Sequence, residues 1–350
     1  MKFPDNSSES PTNMADQPLV SIIIPCLNEQ ETIRYLLEAI TCQTYPKERM
    51  EVVIADGLST DNTRAVIESF QHENPQPLIR VVDNQLRNIP AGLNQAIRYA
   101  NGEIIVRMDA HSIPQSDYVE RSVRALEAGF GSNVGGVWEI KPGKPGITAQ
   151  AIAIAAAHPL SVGDARYRYT NQAGVVDTVP FGAFYRSLIE TIGFYDDSLL
   201  TNEDYELNVR IVKSGGKIWL DPAIRSTYFS RSTYRDLLRQ YWRYGYWKVK
   251  MLVRYPGTIR WRQALPPLFV ASLFLLAFLA PFFSPLRWLL LAEVLVYAGV
   301  YLLVGIQSAI RNRSAGLILA VPLAIFCMHL AWGAAFLWSS FEAILETTKK

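Results

Sequence analysis

Four short polar clusters hold the residues able to do chemistry: Pro25-Cys26-Leu27-Asn28-Glu29, Asp56-Gly57-Leu58-Ser59-Thr60-Asp61, Asp109-Ala110-His111 and Thr201-Asn202-Glu203-Asp204. Asp109 and His111 stand two residues apart, so a carboxylate and an imidazole can present two ligands to one divalent cation. A metal that bridges a diphosphate neutralises charge developing on that leaving group. The plainer reading makes Asp109 a turn former and His111 a surface residue. Thr201 with Asp204 three positions on matches a helix-capping pattern, which accounts for one acid and leaves Glu203 and Glu206 unexplained. Carboxylates in a helix's first turn are held ionised by the dipole. An ionised, positioned carboxylate is what a general base needs to take a proton from a hydroxyl. Asp56 ends an apolar run, where a carboxylate can accept a hydrogen bond from a nucleobase N–H. Asp61 and Asn28 equally suit plain helix caps.

The elements that position these clusters follow from periodicity. Residues 19–25, 51–55, 79–82 and 103–108 are short apolar, β-rich runs, and each is followed by helical spacing, over 29–42, 61–70, 91–100 and 115–127. Short strands alternating with helices of about 10–15 residues predict an α/β domain whose mostly parallel sheet is covered on both faces. Such sheets bind ligands at the carboxyl ends of their strands, and there the polar clusters begin. The glycine-rich stretch at 129–136 follows a helix and precedes a strand, the reverse of a dinucleotide fingerprint, and is set aside.

The last third is different. Between Leu265 and Phe341 the only acid is Glu293, and the only bases are Arg287, Arg311 and Arg313, with His329 the one histidine. Apolar stretches at 266–281, 288–306 and 315–338 approach or exceed the roughly 20 residues that cross a bilayer. They predict three spans, or two spans and a re-entrant segment, with the boundary near Pro266-Pro267. Glu293 and His329 fall inside these stretches, where ionisable groups are costly, and stay unassigned. Residues 232–255 mix Tyr and Trp with Arg and Lys, as suits a helix lying at a headgroup surface. A net charge of +2 gives no field that would draw nucleic acid. Three cysteines without a CxxC pair argue against a disulfide framework.

Taken in order, SIIIPCLNEQETI, VVIADGLSTDNT, RNIPAGLNQAI, GEIIVRMDAHS, VPFGAFYRS, NEDYELNVRI and RQYWRYG resemble the inverting family 2 glycosyltransferases, over residues 19–250. DAH, PFGAFYR and NEDYELN resemble the succinoglycan-type glucosyltransferases of bacterial exopolysaccharide assembly in particular. The resemblance implies a GT-A fold, a mixed sheet flanked by helices, with C-terminal transmembrane helices appended. It implies that Pro25, Asn28, Glu29, Asp56, Asn88, Arg107 and Asp109 hold a nucleotide sugar. Asp109, with His111 where relatives carry a second Asp, would bind a divalent cation, Mg2+ or Mn2+. Asp204 would be the base with Glu203 beside it. Gln240 and Arg243 stand where relatives carry Gln-x-x-Arg-Trp and would contact acceptor or diphosphate, although Tyr244 replaces the Trp.

The expected organisation is a flexible tail at 1–17, a catalytic domain at 18–231, amphipathic interfacial helices at 232–264, about three transmembrane helices at 265–341 and a tail at 342–350. The expected partners are a UDP-sugar, UDP-glucose above all, a polyprenyl-diphosphate or other lipid-linked acceptor, and the membrane. Basic residues favour the cytoplasmic side. Arg254, Arg260, Arg262, Arg311 and Arg313 therefore place the catalytic domain at the cytoplasmic face of a bacterial inner membrane. The rival readings are a polymerising synthase and a non-catalytic nucleotide-sugar sensor.

Overall fold

Strand β1 (Val20–Cys26) is buried along its whole length. Its isoleucines alternate between the faces of the sheet. Ile22 and Ile24 pack with α1 (Ile33–Thr41), α2 (Thr63–Glu73) and α4 (Tyr118–Glu127), while Ile23 packs with α3 (Ile89–Tyr99). Fully burying one such side chain contributes roughly 1.5–3 kcal/mol, so a charged residue at Ile23 would undo the centre of the sheet. The computed structural model describes residues 17–348; of the expected N-terminal tail only Gln17 lies among the described residues.

Beside β1 run β2 (Met50–Asp56) and β4 (Ile104–Arg107), both parallel to it, with β3 (Leu78–Asp83) outside β2. The register sets Cys26, Asp56 and Asp83 side by side, and pairs Arg107 with Ile23. These strands and helices lie within a few residues of their sequence positions. Beyond β4 the sheet turns mixed. β8 (Ala183–Tyr185) is antiparallel to β4 and to β6 (Asn133–Pro142), and β6 runs parallel to β9 (Ile218–Ser230). β5 (Ile113–Pro114) and β7 (Gly174–Val176) add to β9 antiparallel. The full order is β3-β2-β1-β4-β8-β6-β9-β5. The mostly parallel expectation thus holds for the first four strands, and beyond them only the β6–β9 pair is parallel. After residue 142 the chain no longer returns by single crossover helices; it passes through α5 (Ile147–Ala157) and the short α6 (Pro159–Val162) before pairing β8.

Helix α9 (Tyr234–Arg254) starts at Thr233, whose hydroxyl accepts from the Asp236 amide. α10 (Trp261–Leu279), α11 (Ser284–Asn312) and α12 (Leu317–Thr348) follow, and all three are long and apolar enough to cross a membrane. The details correct three expectations. Pro266 and Pro267 lie inside α10, so the boundary falls earlier, before Trp261. α12 continues unbroken to Thr348, so residues 342–348 are helix and not a tail. α9 is no surface helix alone: Leu237, Tyr241, Gly245, Lys248, Val249 and Met251 are buried, and of its aromatics only Trp242 is well exposed. α9 packs along α12, with Gly245 against the Trp332 backbone, while Gly333 admits α10 at Pro266. Small residues that let backbones approach closely are how membrane helices pack. A third apolar core joins α5, α9, α11 and α12, so the helical block is built onto the sheet domain.

Candidate active site

Arg107 closes β4 and is 2% exposed. Its Nη2 donates to Glu203 Oε1 at 2.9 Å and to Asp109 Oδ1 at 3.1 Å, and its Nη1 donates to Asp204 Oδ1. Glu203 and Asp204 open α8 (Glu203–Lys213), whose first turn is acidic as the helix dipole favours. The expected Thr201–Asp204 cap does not form. Asn202 precedes the helix in a left-handed conformation, φ 71°, with no side-chain cap, and the Thr201 hydroxyl turns back to the Leu200 carbonyl. Asp204 is thereby free to face β4. One guanidinium against three carboxylates leaves the cluster anionic. Burial pushes the Asp204 carboxyl up to about 7; Arg107 opposes the shift, and Glu203 and Asp109 reinforce it. That is the range in which a carboxylate serves as a general base at neutral pH.

Glu29 reaches the same region through His111, Oε1 to Nδ1 at 3.0 Å, while its other oxygen accepts from the Thr32 hydroxyl. The Glu29 contact raises the His111 pKa, against some opposition from burial. With Nδ1 engaged, His111 offers only Nε2 to a ligand. Among the described residues no group of three or more His, Cys, Asp and Glu side chains could hold a metal. Mg2+-type cations take one or two carboxylates and complete their shell with water and substrate phosphates. Asp109, partly exposed and with Oδ2 outside the Arg107 contact, fits a cation carried on a diphosphate, and His111 adds one nitrogen at most.

The loops after β1 and β2 are tied to each other. Asn28, at φ 56°, accepts from the Thr60 amide at 2.9 Å and donates its own amide to the Ser59 hydroxyl, so it bridges loops and does not cap α1. Asp56 is fully buried; it accepts from the Ser59 hydroxyl and amide and from Arg64 Nε at 2.6 Å. Its carboxylate already serves three donors, which compete with the nucleobase contact expected of it. Asp61 accepts from the Thr63 and Gln30 amides. Asn88 caps α3, accepting from the Ala91 amide, and Pro25 lies buried in β1.

A cleft of about 300 Å3 gathers Arg107, Asp109, His111, Glu203, Asp204, Gln240 and Arg243. Pro25, Asn28, Glu29, Asp56 and Asn88 lie outside its lining. The helical block adds Pro266 of α10 and Met328 and Trp332 of α12 to its lining, beside the polar Arg262, Gln263 and His329. Gln240 donates to the Tyr228 and Tyr244 hydroxyls. Sequence reasoning missed Trp138, Tyr167, Arg168 and Tyr228, which line the cleft from separate segments and carry no local pattern. The two unassigned residues now have places. His329 lines the cleft and bonds the Ser161 carbonyl and the Tyr297 hydroxyl, at 3.1 and 3.0 Å, pinning α6 to the apolar helices. Glu293 accepts from the Ser272 hydroxyl, joining α11 to α10 away from the cleft.

Residues 21–193 match the family described as Glycosyl transferase family 2. The chain is 34% identical over 322 residues to the succinoglycan biosynthesis protein ExoA of Rhizobium meliloti, covering 90% of this chain and 93% of that one. It is 29% identical over 320 residues to a dolichyl N-acetyl-alpha-D-glucosaminyl phosphate 3-beta-D-2,3-diacetamido-2,3-dideoxy-beta-D-glucuronosyltransferase of Methanococcus voltae, covering 89% and 93%. In fold it is similar to the mannosyltransferase PcManGT from Pyrobaculum calidifontis, solved with GDP-Man and Mn2+, with a TM-score of 0.62, 21% identity, and coverage of 90% of this chain and 88% of that one.

Proposed function

The chain belongs to glycosyltransferase family 2, and from that premise we propose that it transfers a single hexose, glucose from UDP-glucose in the first instance, onto a lipid-linked acceptor with inversion. It is a glycosyltransferase of polysaccharide or glycolipid biosynthesis. The observation that carries the finer reading is the mixed lining of the cleft. Arg107, Asp109, Glu203 and Asp204 share one cleft with Pro266, Met328 and Trp332 of the apolar helices. An amphiphilic acceptor, with a sugar at one end and a polyprenyl chain at the other, matches that mixed lining.

In this reading the acceptor hydroxyl attacks the anomeric carbon from the face opposite the nucleotide. The hydroxyl O–H breaks and its proton passes to Asp204, at the oxygen that Arg107 does not hold. The new glycosidic C–O bond forms as the bond to the diphosphate breaks, and the nucleoside diphosphate leaves. Arg107 fixes the base in orientation and, by its charge, keeps part of the carboxylate population ionised near neutral pH. Asp109, with His111, would hold a divalent cation, which when bound neutralises charge on the departing diphosphate. The fold neighbour solved with GDP-Man and Mn2+ supports a cation of this kind.

The apolar helices would anchor the chain in the inner membrane of a bacterium with the catalytic domain cytoplasmic, as the basic residues at 254–262 and 311–313 favour. A polymerising synthase would produce a ladder of products and a sensor none. Incubating the full chain in nanodiscs with extracted lipid-linked sugars and a panel of nucleotide sugars separates them: this reading requires one hexose added per acceptor.

A further inference from the structure

Arg168 lies in the helical turn at 166–168 and lines the cleft. Its guanidinium is 5.2 Å from the Trp138 ring centroid and 5.3 Å from that of Tyr167. Nε meets the Tyr167 hydroxyl at 3.2 Å and Nη1 donates to the Ala156 carbonyl at 3.3 Å. Tyr241 and Tyr244 of α9 are its other polar neighbours. Among the described residues Arg168 pairs with no carboxylate. The acids nearby are committed elsewhere: Asp109, Glu203 and Asp204 to Arg107, Glu29 to His111, and Asp164 and Asp177 to Arg260 and Arg262.

Arg168 is half-buried; withdrawing a guanidinium even partly from water without a counter-charge is costly, and stacking against rings offsets only part of that. The surroundings also hold unspent donors. Trp138 Nε1 is buried with no hydrogen-bond partner. The Tyr228 and Tyr244 hydroxyls accept from Gln240, which leaves their O–H groups to donate. Exposed Arg231 and Arg243 line the same cleft, and neither forms an ion pair among the described residues. Donors without acceptors around an unpaired cation complement an anion with several oxygens. The Phe181 ring separates this box from the acidic cluster, 5.8 Å from Trp138 and 5.9 Å from the Arg107 guanidinium.

We propose that Trp138, Arg168, Tyr228 and Tyr244, with Arg231 and Arg243 at the rim, form an anion subsite for a phosphate or diphosphate ester, centred on Arg168. It rests on the transferase reading only for which substrate carries the phosphate, the lipid-linked acceptor or the nucleotide donor. Its position beside α9, across the Phe181 ring from Arg107, is where an acceptor's phosphate would lie while its sugar reaches Asp204.

The test measures binding without turnover, so a protein that binds these anions but never transfers sugar refutes the transferase reading and leaves the subsite standing. The full chain in phosphatidylcholine nanodiscs is titrated with inorganic diphosphate, farnesyl diphosphate and UDP, for the wild type, Arg168→Gln and Arg168→Lys. Arg168→Gln weakens inorganic and farnesyl diphosphate by about tenfold or more, the usual consequence of losing a charge-assisted hydrogen bond, and Arg168→Lys recovers part of it. UDP affinity that stays level assigns the subsite to the acceptor, and a parallel loss for UDP assigns it to the donor. If a correctly folded Arg168→Gln binds all three like the wild type, the proposal is wrong. Should that variant not fold, Trp138→Phe, which keeps the ring and deletes the N–H, and Arg231→Gln take its place. Unchanged diphosphate affinity in both overturns the subsite.

Discussion

Arg107 and Asp204 are 97 residues apart in the chain, and in the fold the guanidinium of one donates directly to the carboxylate of the other. This contact joins the end of a buried strand to the start of a helix and orients Asp204, the proposed base. Its consequences can be measured separately.

Asp204→Asn keeps the shape and removes the proton acceptor. We expect turnover to fall by about 10²–10⁴, the usual range for loss of a general base, with nucleotide-sugar affinity nearly intact because the base acts on the acceptor. Single-turnover kinetics alongside donor titration would show this, and near-normal turnover in the purified variant would reject the assignment.

The pH profile should have an acid limb. Burial raises the Asp204 carboxyl to about 7, and only the ionised form accepts a proton. Turnover is therefore full above that value and falls as pH drops through it. A profile flat down to pH 5 would mean that another group is the base.

Arg107 is buried among three acids, so removing it strands negative charge in the interior. Arg107→Met should destabilise the fold by roughly 3–5 kcal/mol. Adding Glu203→Gln should recover part of that loss, since one of the stranded charges goes with it. Denaturation of the single and double variants measures the coupling, and simple additivity would contradict it.

Asp109→Ala should weaken nucleotide-sugar binding and remove its response to added Mg2+ or Mn2+, and a chelator should abolish transfer by the wild type. Full activity in excess chelator would mean that Asp109 and His111 serve Arg107 and Glu29 and nothing else.

How far this site can be read from the chain varies with how local its signals are. Asp109, Glu203 and Asp204 are legible because each follows or opens an element whose periodicity is strong. The β2 run is legible for another reason: it is a short continuous apolar run, buried on both faces. Arg107 is visible at a strand end, but its role as counter-ion depends on acids 96 and 97 residues away. The Thr201–Asp204 spacing fits a cap, yet the left-handed Asn202 removes it. Trp138, Tyr167, Arg168 and Tyr228 come from three segments with no shared period, and only the sheet's order brings them together. The aromatic richness of α9 reads as a membrane surface, whereas Tyr241 and Tyr244 turn to the cleft.

Orientation is open to cysteine labelling from the outer face, in a background without Cys26, Cys42 and Cys327. A single cysteine at Ser284 should label, and one at Ser314 should stay protected. If α12 spans, Thr348 labels as well. Labelling at Ser314 but not at Ser284 would reverse the topology.

Single transfer onto a lipid acceptor is tested by mass spectrometry of lipid-linked sugars after incubation with the nanodisc-embedded chain and UDP-glucose. A single added hexose on the lipid-linked acceptor is expected with the wild-type chain and none with Asp204→Asn. An equal yield from both proteins, or a ladder of many added sugars, would contradict it.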